Sequence, residues 1–273
     1  MNYLQFDFET EDVRQTEQLI ALLFEQDFEG LEEEDSYLKA FIAENKFDAD
    51  RFSQVLRMFS NISYTQTVVE HINWNQKWEE EFKPVVVDDF AGIRAGFHKP
   101  LSNVIHEVII TPKMSFGTGH HATTYLMIQQ MRSINFSGKK VLDFGTGTGI
   151  LAILAEKLGA ASVLAIDYDE WSITNTRENL NNNRSANIEV EMMDAVPVGQ
   201  KFNVILANIN LNVITDNLHT IEAASDSGGV ILLSGFLKEN EVEMENALSE
   251  AGLDLISTFQ RGDWIALLAC KNN

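Results

Sequence analysis

From about residue 125 onward, short and almost uninterrupted apolar runs alternate with stretches whose apolar residues recur every three or four positions. "KKVLDFG" and "ASVLAIDYD" are strand-like runs separated by the helical "GILAILAEKLG", which Gly159 terminates. "NIEVEMMD", "FNVILANI", "GGVILLSGF" and "DWIALLAC" supply four further strand candidates, and helical patterns such as "EWSITNTRENLNNN" and "NEVEMENALSEAG" lie between most of them. Strands that are apolar on both faces and joined through helices specify an α/β fold, a doubly wound and largely parallel sheet.

The chain has 273 residues, more than one such sheet needs, so a second domain is expected. Residues 1–70 fit it. "YLQFDF" alternates with period two, "EDVRQTEQLIALLFEQ" has helical spacing, and "FEGLEEEDSYLKAFIAEN" reads as two strands around an acidic turn. "DADRFSQVLRMFS" is a helix capped by Asp48 or Asp50, and "ISYTQTVVEHI" a final strand. The order βαββαβ predicts a small N-terminal α+β, ferredoxin-like domain. Trp74, Trp78 and Phe82 then fall four apart on a connecting helix over 71–84 that Pro84 stops, and residues 85–273 form the large domain.

The net charge of −21 disfavours a broad grip on nucleic-acid phosphates, which depends on Lys and Arg, and suits a basic partner. Residues 1–85 concentrate the charge, with nineteen Asp and Glu against seven Lys and Arg. No apolar run long enough to span a bilayer and no export signal are evident, and the single Cys270 is consistent with a reducing, cytoplasmic location. The six histidines show no ligand-like spacing, so no metal site is expected.

A glycine-rich turn after the first strand of such a sheet can hold a nucleotide-like ligand. The spacing narrows the choice. The dinucleotide pattern GxGxxG would require glycine at 150, where the chain has Ile150, and no lysine ends the loop as phosphate-cradling GxxxxGK[ST] demands. What stands is DxGxGxG, with Asp143 closing the strand before Gly145, Gly147 and Gly149. It resembles the binding loop of class I S-adenosylmethionine-dependent methyltransferases. Asp167 ends the second strand, 22 residues after Gly145, where a carboxylate can accept from both ribose hydroxyls. Asp194 ends the third, where the resemblance implies a contact to the adenine amino group.

Ahead of that turn lies "SFGTGHHATT", and with "VLDFGTGTGILAILAEKLGA", "LANI", "GGVILLSGF", "WNQKWEEEFKP" and "DWIALLA" it resembles the bacterial PrmA family, methyltransferases of large-subunit ribosomal protein eleven. The likeness runs from about residue 72 to 270 and is carried most specifically by Phe116, Gly117, Thr118, Gly119, His121, Thr123 and Thr124. It departs from the family at "TPKM" and Ser115 and at Thr146 and Thr148 in the glycine turn.

The resemblance implies that Thr124, Gly145, Asp167 and Asn208 contact S-adenosylmethionine, that Phe116 and its loop cover the methionine end with Gly117 and Gly119 as hinges, and that His121 caps or orients that loop. Asn208, at the end of the fourth strand, is the catalytic candidate, orienting the incoming amine or the cofactor. The implied reaction is methylation, through to trimethylation, of lysine and/or N-terminal amines on the basic ribosomal protein, free or on the ribosome; the position, predicted fold and acidity of the N-terminal domain, not the resemblance, make it the expected recognition module. Two other readings stay open: an amino methyltransferase of RNA or other nucleic acid, and a ribosome-assembly protein without turnover.

Overall fold

The computed structural model describes residues 2–10, 13–34, 37–59, 62–70, 82–112 and 119–271. The chain resolves into two compact units, Met1–Phe82 and Lys83–Asn273. Residues 71–81, most of the expected connecting helix with Trp74 and Trp78, lie outside the described residues, as does the loop 113–118 containing Phe116 and Gly117.

The first unit runs β1 (Asn2–Glu9), α1 (Val13–Phe24), β2 (Gly30–Glu34), β3 (Tyr37–Ala43), α2 (Ala49–Leu56) and β4 (Tyr64–Glu70). Its sheet is antiparallel in the order β2-β3-β1-β4, the ferredoxin-like arrangement. The period-two pattern of β1 turns Leu4, Phe6 and Phe8 inward onto Leu19 and Leu23 of α1 and Phe52 and Val55 of α2. Asp48 is the α2 cap, its carboxylate accepting from the Asp50 and Arg51 amides.

The second unit begins with a small sheet of β5 (Val85–Val87), β6 (Ala91–Ala95) and β7 (His106–Ile110), in that order. Then follow α3 (Ala122–Met131), β8 (Lys140–Phe144), α4 (Ile150–Lys157), β9 (Ser162–Asp167), α5 (Glu170–Asn183), β10 (Ile188–Met192), β11 (Phe202–Asn208), α6 (Leu211–Ala224), β12 (Ser225–Leu237), α7 (Glu241–Glu250), β13 (Leu253–Arg261) and β14 (Trp264–Lys271). Seven strands order as β10-β9-β8-β11-β12-β14-β13, parallel from β10 to β12, with β14 antiparallel to both its neighbours. β13 was not among the expected strands. Only its first residue, Leu253, is fully buried, so this edge strand carries no apolar run. The strand order reverses between β8 and β11, and a sheet of this kind leaves a crevice at the carboxyl ends of the strands flanking that reversal.

Candidate active site

β8 ends in Asp143 and Phe144, and the chain then turns through Gly145, Gly147 and Gly149 with φ of 75°, 56° and 81°, the left-handed region glycine enters without strain. Gly145 has a second constraint, because a Cβ there would collide with the Ile209 side chain. The turn is held on several sides. The Gly145 and Thr146 amides both donate to the Ile166 carbonyl (2.8 and 2.9 Å), and the Gly147 amide donates to Asp167 Oδ2 at 2.9 Å.

A cleft of about 480 Å³ opens beside this turn, lined by Gly145, Gly147 and Asp167 together with Asn208, His121 and Trp264. Asp167 is buried and fixed at both oxygens, Oδ1 accepting from the Asp169 amide at 3.0 Å. A carboxylate offers about four lone-pair sites, so capacity remains for hydroxyl donors in the cleft. Asn208, at the end of β11, donates through Nδ2 to Thr124 Oγ1 at 3.4 Å, while its buried Oδ1 has no hydrogen-bond partner within the protein. An unpaired buried amide oxygen is costly unless a bound group satisfies it. Thr124 borders a separate cavity of about 20 Å³ behind the turn, which Gly145, Gly147 and Asn208 also border.

His121 is the N-cap of α3: ring Nδ1 lies 2.8 Å from Thr123 Oγ1 and accepts from the Thr123 amide. Its ring packs edge to face on Trp264, centroids 4.5 Å apart, so residues 143 positions apart in sequence share one wall of the cleft.

Four assignments made from the sequence differ in place, the first being Thr124, which borders the separate cavity and not the cleft. Asp143 does not line the cleft; it is 1% exposed, and Oδ2 accepts from Thr146 Oγ1 (2.6 Å) and the Ala152 amide (3.1 Å). Burial pushes its pKa up to about 7. Its carboxyl joins the glycine turn to the first turn of α4 from behind, because the alternation of a strand sends neighbouring side chains to opposite faces. Gly149 also stays out of the cleft; it is the N-cap of α4, and a Cβ there would sit 2.9 Å from Thr176 Cγ2. Asp194 lies two residues beyond the end of β10, is exposed, and does not line the cleft. Phe116 is outside the described residues.

Other lining residues carried no assignment. Tyr168, Asp169 and Ser172 follow β9 into α5, and Asp169 is held below the usual carboxylate range by the Ser172 hydroxyl and by the Ser172 and Trp171 amides. Gly235 of β12 has φ 104° and abuts the Ile209 backbone, where any Cβ would collide. The signal for Gly235 was present in "LLSGF", but its partner Ile209 is adjacent only in the folded sheet. Among the described residues no cluster of His, Cys, Asp and Glu could hold a metal ion, and no helix is long and apolar enough to cross a membrane.

The sequence profile of the ribosomal protein L11 methyltransferase family (PrmA) matches residues 5–272. The chain belongs to this family. The match takes in the N-terminal unit, which the motifs alone left without a signature. A ribosomal protein L11 methyltransferase of Porphyromonas gingivalis is 40% identical over 256 residues, covering 91% of this chain and 88% of its own length. One from Chlorobaculum tepidum is 34% identical over 284 residues, covering 100% and 98%. Among solved structures, the ribosomal protein L11 methylase of Lactobacillus delbrueckii subsp. bulgaricus superposes with a TM-score of 0.66 at 28% identity, over 70% of this chain and all of that one. A methyltransferase from Pyrococcus furiosus shares the fold, with a TM-score of 0.52 at 20% identity over 61% of this chain and 90% of that one.

Proposed function

We propose that this chain is an S-adenosylmethionine-dependent protein N-methyltransferase acting on lysine and N-terminal amines of ribosomal protein L11. Family membership supports the reaction class and the substrate. One observation carries the site: Gly145 and Gly147 of the side-chain-free turn, Asp167 and Asn208 all line one cleft, and the buried Oδ1 of Asn208 has no partner within the protein. These residues fit the cofactor. Asp167 would accept from the ribose hydroxyls, and the glycine turn would admit the adenosyl and methionine portions against backbone. When bound, S-adenosylmethionine supplies a methyl group activated by its attachment to a cationic sulfur.

What remains for the protein is to present a neutral amine in line. A lysine amine with a pKa near 10.4 is almost wholly protonated at neutrality, whereas an α-amine near 7.7–8.0 is not. Desolvation in a cleft favours the uncharged form, so no strong base is required. In the first two transfers Asn208 Oδ1 would accept an N–H of that amine and so aim its lone pair, a contribution of alignment. The His121 and Trp264 rings offer apolar surface for the methylene stem of a lysine. Loss of the ammonium proton to solvent after each transfer, with exchange of the spent cofactor, would return the same amine for a further round and so extend the product to the trimethyl form, the third transfer using a dimethylamine that has no N–H left to donate.

The acidic N-terminal unit serves in this reading as the recognition module for a basic ribosomal protein, residues 71–84 as its connection, and 85–273 as the catalytic domain. The reading implies action in the cytoplasm. Incubation with methyl-labelled cofactor and either purified L11 or ribosomal RNA tests it. Label is expected in L11, with mass increments up to three methyls on single amines; label only in RNA, or in neither, contradicts it.

A further inference from the structure

Helix α5 buries the wrong kind of face for a helix on a sheet. Ser172, Asn175, Thr176 and Asn179 are each less than a tenth exposed, where an apolar stripe is the rule. Buried polar side chains persist when paired: Ser172 donates to Asp169, Asn175 accepts from Asn179, and Thr176 and Asn179 bond backbone from other parts of the fold. Thr176 Oγ1 donates to the Gly147 carbonyl at 2.8 Å, and Asn179 Nδ2 donates to the Thr148 carbonyl at 2.8 Å. Two successive carbonyls of the glycine turn are therefore held from α5.

The other end of the same amide does something different. Asn179 Oδ1 accepts from the Thr111 amide at 2.7 Å, just past the end of β7. One turn along, Asn183 meets Ile109 twice, accepting from its amide at 2.9 Å and donating to its carbonyl at 2.6 Å. β7 is an edge strand of the small sheet, and the amides of α5 take the place of a neighbouring strand along its free edge. The spacings match, since four residues of helix rise ~6.0 Å and two residues of strand ~6.6 Å. Outside its own helix, where Nδ2 also donates to the Asn179 carbonyl at 2.8 Å, Asn183 touches only the strand, whereas Asn179 touches the strand and the turn at once.

We propose that Asn179 is a positioning residue for cofactor binding: its fully buried amide sets the separation between the glycine turn and the end of β7, so that the Thr148 carbonyl is held back and Gly145 and Gly147 keep the place from which they line the cleft. The inference rests on the cofactor reading above. It assigns to Asn179, with two side-chain bonds to backbone, an effect on affinity that its neighbour Asn183, with three, does not have.

The test is calorimetric titration of the full chain with S-adenosylhomocysteine, alongside thermal melts of the same samples, for wild type, Asn179→Ala, Asn179→Asp and Asn183→Ala. Asn179→Ala is expected to weaken the Kd about tenfold or more. Asn179→Asp keeps the acceptor for Thr111 but places a carboxylate against the Thr148 carbonyl, and is expected to weaken binding at least as much. Asn183→Ala should melt at a comparably lowered temperature yet bind within about threefold of wild type. Equal affinities for Asn179→Ala and wild type, or equal losses at 179 and 183, would overturn the assignment and leave a general stabilising role. Should the 179 variants not fold, amide exchange in the wild type decides: on saturation with the ligand the Thr111 amide is expected to slow by about tenfold more than the Ile109 amide, and equal slowing overturns the proposal. A wild type that binds nothing would instead overturn the cofactor reading, and this inference with it.

Discussion

At the residue scale, carboxylates at the ends of adjacent strands have unlike roles. Asp167 faces the cleft with lone pairs to spare, while Asp143 is buried behind the turn and its pKa is raised to about 7. In the unfolded chain an aspartate titrates near 3.9, so between about pH 4 and pH 7 the folded protein retains a proton that the unfolded chain has released. This contribution to stability is present in full below about pH 4 and is lost as pH rises through about 7. Asp143→Asn removes the titration while leaving an acceptor for Thr146 and Ala152. Its melting temperature relative to wild type is therefore expected to climb between pH 4 and pH 7 and to level off above; a difference that stays constant with pH would refute a proton on Asp143. The glycine spacing was legible in the sequence because positive φ at three alternate positions admits few other residues. Which aspartate faces the ligand was not, since a one-residue shift along a strand exchanges cleft for core and leaves the composition unchanged. Trp264 and Gly235 were equally hidden as site residues, because their neighbours His121 and Ile209 come from distant segments.

At the scale of elements, burial determined what could be read. β8, β9, β11, β12 and β14 are covered on both faces and announce themselves as apolar runs, whereas β13 lies at the edge with alternate residues in solvent. α5 was readable from its helical pattern, and Asp169 caps it by accepting from the Trp171 and Ser172 amides, but its buried face sets Ser172, Asn175, Thr176 and Asn179 beside Ile173 and Leu180, and polar residues do not reveal what they pack against. The N-terminal unit was readable in outline from the period of β1 and the two candidate caps before α2. Of those caps Asp48 makes the bonds, and Asp48→Ala is expected to destabilise this unit by about 1 kcal/mol, as N-cap removal usually does. Urea unfolding followed by a probe in residues 1–70 measures that cost, and S-adenosylhomocysteine affinity, which depends on the other unit, should stay within error. A parallel loss of affinity would show that the two units are energetically joined.

At the scale of the whole molecule, the proposed function divides the labour between the two units, recognition in one and chemistry in the other. The excess of acid over base is concentrated before residue 86, and the cleft lies wholly within Lys83–Asn273. Removal of residues 1–82 is expected to abolish methylation of L11 while cofactor binding persists; undiminished methylation by the truncated chain would move recognition to the catalytic unit. The proposed function depends on the cleft beside Gly145 receiving an adenosyl group through Asp167. Titration of the full-length chain and its Asp167→Ala variant with S-adenosylhomocysteine asks this most directly. The account predicts saturable one-to-one binding by the wild type and a loss of roughly tenfold or more in the variant, as removal of charge-assisted hydrogen bonds entails. No binding by the wild type, or equal binding by both, would contradict it.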